Sequence, residues 1–184
     1  MAATDALIEL ATLFASDPTL RDEIALALND PAAYLQQFAE RLSERGIETE
    51  RPDLAWFALL DGLKARELAA ELDWKSSAKD VLYGLKTLVN VPRDVWDGYA
   101  EECDRRVDPD RDSFVECYLQ IADLRTSPHG LSMVTLDSGG DSYVAALLET
   151  AKVARATELA DKAGGLGALS HRQGTERIGS RGAQ

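Results

Sequence analysis

The segment that decides the fold reads Leu131-Ser-Met-Val-Thr-Leu-Asp137, then Ser138-Gly-Gly-Asp141, then Ser142-Tyr-Val-Ala-Ala-Leu-Leu-Glu149. Both outer runs are rich in apolar and β-branched residues, and the Gly-Gly pair between them is typical of a tight turn. We therefore predict an antiparallel hairpin with strands over 131–137 and 142–149. Both faces of the second run are apolar, which indicates a sheet covered by helices on one side and partly on the other.

A short stretch upstream, Leu68-Ala-Ala-Glu-Leu-Asp73, changes the pattern of the chain. Its apolar residues do not form a helical stripe, so we predict a third strand at 68–73. Alanine is a poor strand former, and a continuing helix remains the alternative for this stretch.

The rest of the chain has apolar residues at helical spacing, separated by capping residues, prolines and glycines. Asp17-Pro18 and Asn29-Asp30-Pro31 each predict a helix start, because Asp accepts the free amides there and Pro fits the first turn. Gly46 is suited to end a helix. These patterns predict a predominantly helical α+β fold, in which N-terminal helices pack with the small sheet. We expect one domain over 1–169 and a flexible tail over 170–184, where apolar residues are scarce.

The composition restricts the classes of partner. The 184 residues include 20 Lys+Arg and 32 Asp+Glu, which gives a net charge of −12. Binding to nucleic acid or to an anionic membrane depends on cationic side chains, so we expect neither. No basic segment followed by an apolar stretch opens the chain, and no apolar run approaches the roughly 20 residues of a membrane helix. We expect a cytoplasmic protein in which Cys103 and Cys117 are buried, reduced thiols.

The usual motifs of catalysis and metal binding are missing from the sequence. The two histidines, His129 beside a Pro-Gly turn and His171 in the tail, fit no catalytic triad, and no G-x-S-x-G segment exists. The cysteines and histidines match no zinc spacing, and no phosphate-binding loop is found. We therefore predict no catalytic residue, no cofactor and no resident metal. Polar side chains are expected to serve mainly as turn formers and solubilising groups.

Two acidic segments leave an alternative open. Asp108-Pro-Asp110-Arg-Asp112-Ser-Phe-Val-Glu116 resembles the start of a calcium loop, but Ser113 stands where the turn needs Gly, so a turn that caps a helix explains it better. If 68–73 pairs with the hairpin, Asp73, Asp137 and Asp141 come near one sheet end, where they could form a cation site or an acid–base pair. Turn formation is the competing explanation, because Asp carboxylates bond nearby amides.

Two segments resemble the signatures of a known family. Leu72-Asp-Trp-Lys75 is similar to a D-W-K-E segment, although Ser76 replaces the acidic residue, and Val134-Thr-Leu-Asp-Ser-Gly-Gly-Asp-Ser-Tyr143 is similar to an L-D-x-x-x-D-S-Y segment. Both belong to a bacterial domain family of unknown function that occurs in small cytoplasmic proteins. The resemblance covers residues 68–148 and implies no activity. It marks a candidate functional cluster made of Asp73, Trp74, Lys75, Asp137, Asp141, Ser142 and Tyr143.

The sequence favours a non-enzymatic protein-binding or regulatory module, such as an immunity protein that neutralises a toxin. A strongly acidic protein meets a basic protein partner faster than a neutral one does, so a basic partner is expected. The alternative is a carboxylate- or metal-dependent hydrolase that uses Asp73, Asp137 and Asp141. A homo-oligomer remains open, because the sequence does not show which apolar faces are covered.

Overall fold

The computed structural model describes residues 3–107 and 114–164. Its sheet has three antiparallel strands in the order β1-β3-β2, namely β1 (Ala69–Asp73), β2 (Leu131–Asp137) and β3 (Ser142–Glu149). The predicted hairpin and the predicted third strand are confirmed, and the alternative of a continuing helix at 68–73 is wrong. Leu131 pairs with Glu149 and Asp137 with Tyr143 across the hairpin, while Ala69 pairs with Ala146 across the other ladder.

Helices form the larger part of the described chain, as the α+β prediction requires. In chain order they are α1 (Ala3–Phe14), α2 (Pro18–Asn29), α3 (Pro31–Gln37), α4 (Ala39–Ser43), α5 (Leu54–Ala65), α6 (Ala78–Leu85), α7 (Tyr99–Arg106), α8 (Phe114–Thr126) and α9 (Val153–Ala163). Short 3-10 turns lie at Arg93–Trp96, Ser127–His129 and Thr150–Lys152. No described helix is long and apolar enough to span a membrane.

Two helical layers enclose the sheet. Helices α1 to α5 and α9 share one apolar core with Val134, Val144 and Ala146, and helices α6 to α8 share a second core with Ala145 and Leu147. Since consecutive strand residues point to opposite faces, β3 contributes to both cores. The sheet is therefore the middle of three layers, and its coverage is more complete than the predicted partial cover on one side.

The helix starts follow the predicted caps. Asp17 Oδ1 accepts from Thr19 N over 2.9 Å, and Asp30 Oδ1 accepts from Ala33 N over 3.0 Å. Ser77 and Asp80 form a capping box at α6. The helical spacing of Val95, Trp96, Tyr99 and Cys103 after Pro92 predicts one helix over 92–103, and this prediction is wrong. Gly98 takes a left-handed conformation (φ 68°) and separates a 3-10 turn from α7.

Two predicted features lie outside the described residues. Most of the calcium-like segment falls in 108–113, and the tail over 170–184 falls in 165–184. The domain boundary after residue 169 therefore stays a prediction. Both cysteines are free thiols; Cys103 is buried, as expected, whereas Cys117 is only partly buried.

Candidate functional site

The predicted cluster assembles around one end of the β1–β3 ladder. Trp74 N donates to Asp141 O over 3.0 Å, which extends the ladder by one pair beyond Asp73 and Ser142. Lys75 Nζ lies 4.6 Å from the centroid of the Trp74 ring, so the two side chains form an exposed cation–π pair. Five members of the cluster therefore lie close together in the fold.

The carboxylates of this cluster make local hydrogen bonds. Asp73 Oδ1 accepts from Lys75 N over 2.8 Å, and Asp137 Oδ1 accepts from Gly139 N over 2.7 Å. These bonds are typical of Asp in turns. Among residues 3–107 and 114–164, no group of three or more His, Cys, Asp or Glu is placed to hold a metal ion.

Ser142 and Tyr143 divide the cluster between the two faces of the sheet. Ser142 Oγ donates to Glu71 Oε1 over 2.8 Å on the face covered by α5. Tyr143 OH donates to Glu116 Oε1 over 3.3 Å in α8, on the other face. Asp137 pairs with Tyr143 in the register and shares its face. The structure therefore does not unite all seven residues in one surface.

An ion-pair network occupies the face of Ser142. Arg45 Nε and Nη2 donate to Asp61 over 2.9 and 2.6 Å, and Arg45 Nη1 and Nη2 donate to Glu71 over 3.1 and 2.9 Å. Lys64 Nζ also donates to Glu71. Asp61 is only 2% exposed. The expectation that polar side chains are mainly turn formers and solubilising groups is therefore wrong for these four residues.

The network forms part of the wall of an open cleft of about 590 Å³. We call it the charged cleft. Its lining combines charged side chains, a small apolar patch and the hairpin turn; these residues are Arg41, Glu44, Arg45, Ile47, Arg51, Phe57, Asp61, Lys64, Ala65, Glu71, Ser138, Gly139, Gly140 and Ser142.

The fold holds the arginines of the charged cleft in fixed places. Gly46, directly after Arg45, adopts a left-handed conformation (φ 68°) in the turn that follows the end of α4 at Ser43. The guanidinium carbons of Arg45 and Arg51 lie 5.4 and 4.9 Å from the centroid of the Phe57 ring. Arg51 is also paired with Asp53. Stacking and ion pairing thus orient two guanidinium groups on one aromatic ring.

The electrostatics of Glu71 follow from its neighbours. Burial alone would raise the pKa of Glu71, but hydrogen bonds from Lys64 and Ser142 and the charge of Arg45 outweigh it and lower the pKa below 4.5. Burial works against the charge of Arg45, yet Asp61 and Glu71 raise its pKa above the ordinary value. Both groups are therefore ionised at neutral pH.

A smaller pocket lies on the opposite face of the sheet. It has a volume of about 110 Å³ between α8 and the hairpin, where Tyr143 and Glu116 line it. The buried Asp123 accepts from Met133 N over 2.8 Å, so its carboxylate satisfies an outward amide of β2. The carboxylate of Asp123 is buried because it accepts a hydrogen bond from an amide that β2, an edge strand, does not pair with another strand.

The apolar surface of the described chain is concentrated near β1. Trp74, Tyr83 and Val89 are 47%, 79% and 61% exposed, and the remaining large exposed hydrophobic residue of the described chain is Leu124 in α8. Trp74 follows the end of β1, and Val89 N donates to Glu67 O at its beginning over 3.1 Å. These two residues therefore mark the two ends of the strand.

Tyr83 is the exposed hydrophobic residue of α6, the helix that packs on β1. A Cβ on its neighbour Gly84 would meet Leu72 and Ala70, so Gly84 sits over the strand. Successive residues of a helix are rotated by about 100° around its axis, so Tyr83 and Leu85 lie on opposite sides of Gly84. Leu85 is buried in the second core. We call Trp74, Tyr83, Val89 and strand β1 the β1 surface.

Strand β1 is an edge of the sheet. Trp74 N faces β3, and alternate residues of an antiparallel ladder face the same neighbour, so the amides of Glu71 and Asp73 face away from it. Neither amide has an acceptor in the described part of the chain. Unpaired edge amides are a template for an added strand.

Comparison with known proteins identifies a family for the chain but no activity. The family described as a domain of unknown function, DUF6630, matches residues 6–165. The match includes the N-terminal helices, which the resemblance over 68–148 left outside. No curated protein and no solved structure matches the chain.

Proposed function

We propose, from the premise that the chain belongs to the family of domains of unknown function DUF6630, that it is a non-enzymatic binding module for a basic protein partner. The partner lays an extended segment along β1. The observation that carries this proposal is an edge strand with outward amides, with the exposed side chains of Trp74 and Val89 at its two ends and the exposed Tyr83 on the helix that packs on it. Strand addition of this kind is a known mode of peptide recognition.

The side chains at the β1 surface suit a binding site. Trp and Tyr are enriched among the residues that contribute most to protein–protein affinity, because they bury a large area with few rotatable bonds. The outward amides of Glu71 and Asp73 supply main-chain hydrogen bonds that do not depend on the partner's sequence. Affinity would come from these bonds and specificity from the aromatic contacts.

Charge contributes at longer range. The net charge of −12 attracts a basic protein and raises its encounter rate, more strongly at low salt. The sequence next to Trp74 carries both signs, with Asp73, Lys75, Lys79 and Asp80. We therefore propose that the net charge of the whole chain speeds the encounter with the partner. The apolar and main-chain contacts at the β1 surface then hold the partner in place. A cytoplasmic regulatory role, such as neutralising a basic toxin, fits this division.

The proposal is tested by capture from the native cell with wild-type and variant proteins at equal concentration. A W74S/Y83S double variant should lose a stoichiometric basic partner that the wild type retains. L124S is the matched control, because it removes the exposed hydrophobic side chain of α8 and leaves the β1 surface intact.

A backbone variant separates strand addition from simple apolar contact. The Asp73 amide faces away from β3, so D73P removes one donor to the partner and keeps the β1–β3 ladder. We expect D73P to fold and to lose the partner. Retention of the same partner by both D73P and W74S/Y83S would overturn the proposal.

A further inference from the structure

We propose that the exposed side of α6 binds an acidic segment of the protein partner. This inference rests on the proposed function, because Tyr83 of α6 also belongs to the β1 surface. It gives the contacting segment a chemistry of its own, opposite in charge to the partner as a whole. Lysines without ion pairs, their alignment on the helix and the local charge of the sequence support it.

The lysines of the described chain divide into two sets of three. One set forms ion pairs with glutamates and consists of Lys64, Lys152 and Lys162. The other set forms no ion pair with any residue that the structure describes and consists of Lys75, Lys79 and Lys86. Lys75 lies against the Trp74 ring. The ammonium groups of Lys79 and Lys86 therefore keep their donors for water or for a ligand.

These two lysines lie on one side of α6, with Tyr83 between them. Residues of a helix are rotated by about 100° and rise by about 1.5 Å each, so Lys79 and Lys86 point in nearly the same direction about 10 Å apart. Tyr83 lies within about 40° of Lys79 by the same rotation. Lys86 follows the helix in helical conformation (φ −68°, ψ −15°), and all three residues are exposed. We call them the α6 lysine face.

The rest of α6 holds this face in place. Val81 and Leu85 are buried in the second core, on the other side of the helix. The carboxylate of the helix, Asp80, belongs to the cap, where its Oδ2 accepts from Ser77 N and Oγ over 3.0 and 2.6 Å. The lysines are therefore presented on a packed helix whose own carboxylate is already engaged.

The local charge is opposite to that of the chain. Residues 74–93 contain four basic side chains and one acidic side chain, a net charge of +3. Since the whole chain carries −12, the remaining residues carry −15. Charges further than about 8 Å apart are largely screened at physiological ionic strength. The net charge therefore acts on the approach of the partner, whereas the lysines act on the segment in contact with α6.

A polypeptide segment fits this face better than a broad polyanion does. The two lysines are only about 10 Å apart along the helix, which is the reach of a few residues. A nucleic acid or an anionic membrane would also meet the acidic remainder of the chain. Carboxylates on either side of an apolar side chain match Lys79, Tyr83 and Lys86.

The test is calorimetric titration of the full chain, in about 150 mM chloride at pH 7.5, with a peptide that has two Glu residues on each side of a Leu-Phe pair. We expect one saturable site. K79E/K86E should weaken binding at least about tenfold, and K79Q/K86Q should give an intermediate affinity. The control K152E/K162E reverses two lysines outside α6 and should change the dissociation constant less than about twofold.

D73P separates this inference from strand addition. It removes a donor of β1 and leaves α6 intact, so it should bind the peptide like the wild type even though it loses the partner. The absence of saturable binding by the wild type would overturn the inference. So would equal affinity of K79E/K86E and the wild type, or equal affinity for a control peptide with Gln in place of Glu.

The captured partner adds a test of sign. Net charge alone predicts that K79E/K86E, which is more negative than the wild type, binds a basic partner more tightly. Contact with an acidic segment predicts weaker binding, through faster dissociation. Tighter binding of the partner by K79E/K86E would overturn the inference and leave strand addition at β1 standing.

Discussion

Arg45 and Asp61 form a buried pair in which Nε and Nη2 of the guanidinium both donate to the carboxylate, over 2.9 and 2.6 Å. Asp61 lies in the middle of α5 and is 2% exposed, and Arg45 follows α4. The pair therefore joins two helices and gives the charged cleft its inner wall.

Removal of Asp61 should destabilise the protein strongly. D61A leaves the charge of Arg45 buried without its main partner, and we expect a loss of about 3–5 kcal/mol in the free energy of unfolding. Urea denaturation followed by circular dichroism measures it. E158A, which breaks ion pairs on the exposed side of α9, should unfold close to the wild-type midpoint. A loss below about 1 kcal/mol for D61A would contradict the structural role of the pair.

The network also predicts a pH dependence. The folded pKa of Glu71 lies below its ordinary value of 4.5, so its ionised form is favoured by folding. The stability that it contributes is present above pH 4.5 and is lost as the pH falls through the lower folded pKa. We expect E71Q to be about 1–2 kcal/mol less stable than the wild type at pH 7. The difference should shrink towards pH 3; a constant difference would show that ionisation is not its cause.

Gly62 permits the close packing of α2 on α5. A Cβ at this position would collide with Cδ1 of the fully buried Leu20. In a helix interior, replacing Gly by Ala gains about 1 kcal/mol, but overpacking a core costs about 1–3 kcal/mol. We expect G62A to have a lower thermal midpoint than the wild type. A midpoint equal to or above the wild-type value would show that Leu20 moves aside without cost.

Glu67 is the one non-glycine residue of the described chain with a positive φ, 56°. It follows α5, where its amide bonds Lys64 O and the Leu68 amide bonds Leu63 O. Gly is the residue best suited to this position after a helix. E67G should therefore raise the free energy of unfolding by about 0.5–1 kcal/mol. E67A controls for loss of the carboxylate; an equal gain in both variants would remove backbone strain as the reason.

Local sequence patterns predicted the parts of the fold that depend on neighbouring residues. The Gly-Gly turn and its flanking runs identified the hairpin, and the Asp-Pro pairs identified the starts of α2 and α3. Continuation of the helix through Gly98 was wrong, because the pattern of apolar residues does not reveal where a glycine adopts a left-handed conformation.

The charged cleft was missed because its members are distant in the sequence. Arg45 lies 16 residues from Asp61 and 26 from Glu71, and each resembles a surface charge when the chain is read residue by residue. One signal was available: Asp61 interrupts the apolar residues of α5, where Leu54 to Leu63 are all buried. A carboxylate in such a helix requires a partner, but only the fold shows that the partner is Arg45.

The seven-residue cluster shows the same limit. Spacing brought Asp73, Asp141 and Ser142 together correctly, because the strand register follows from the hairpin. The alternation of side chains then separated Tyr143 from Ser142. Tyr83 and Val89 gave no signal in the sequence, since exposure of an apolar residue depends on which helix faces are covered.

Hydrogen exchange resolved to individual amides, recorded for the free protein and for its complex with the captured partner, tests strand addition at β1 most directly. We predict that the amides of Glu71 and Asp73 exchange rapidly in the free protein and become protected in the complex. Unchanged exchange at these two amides, with protection appearing on another surface, would contradict the proposed binding mode.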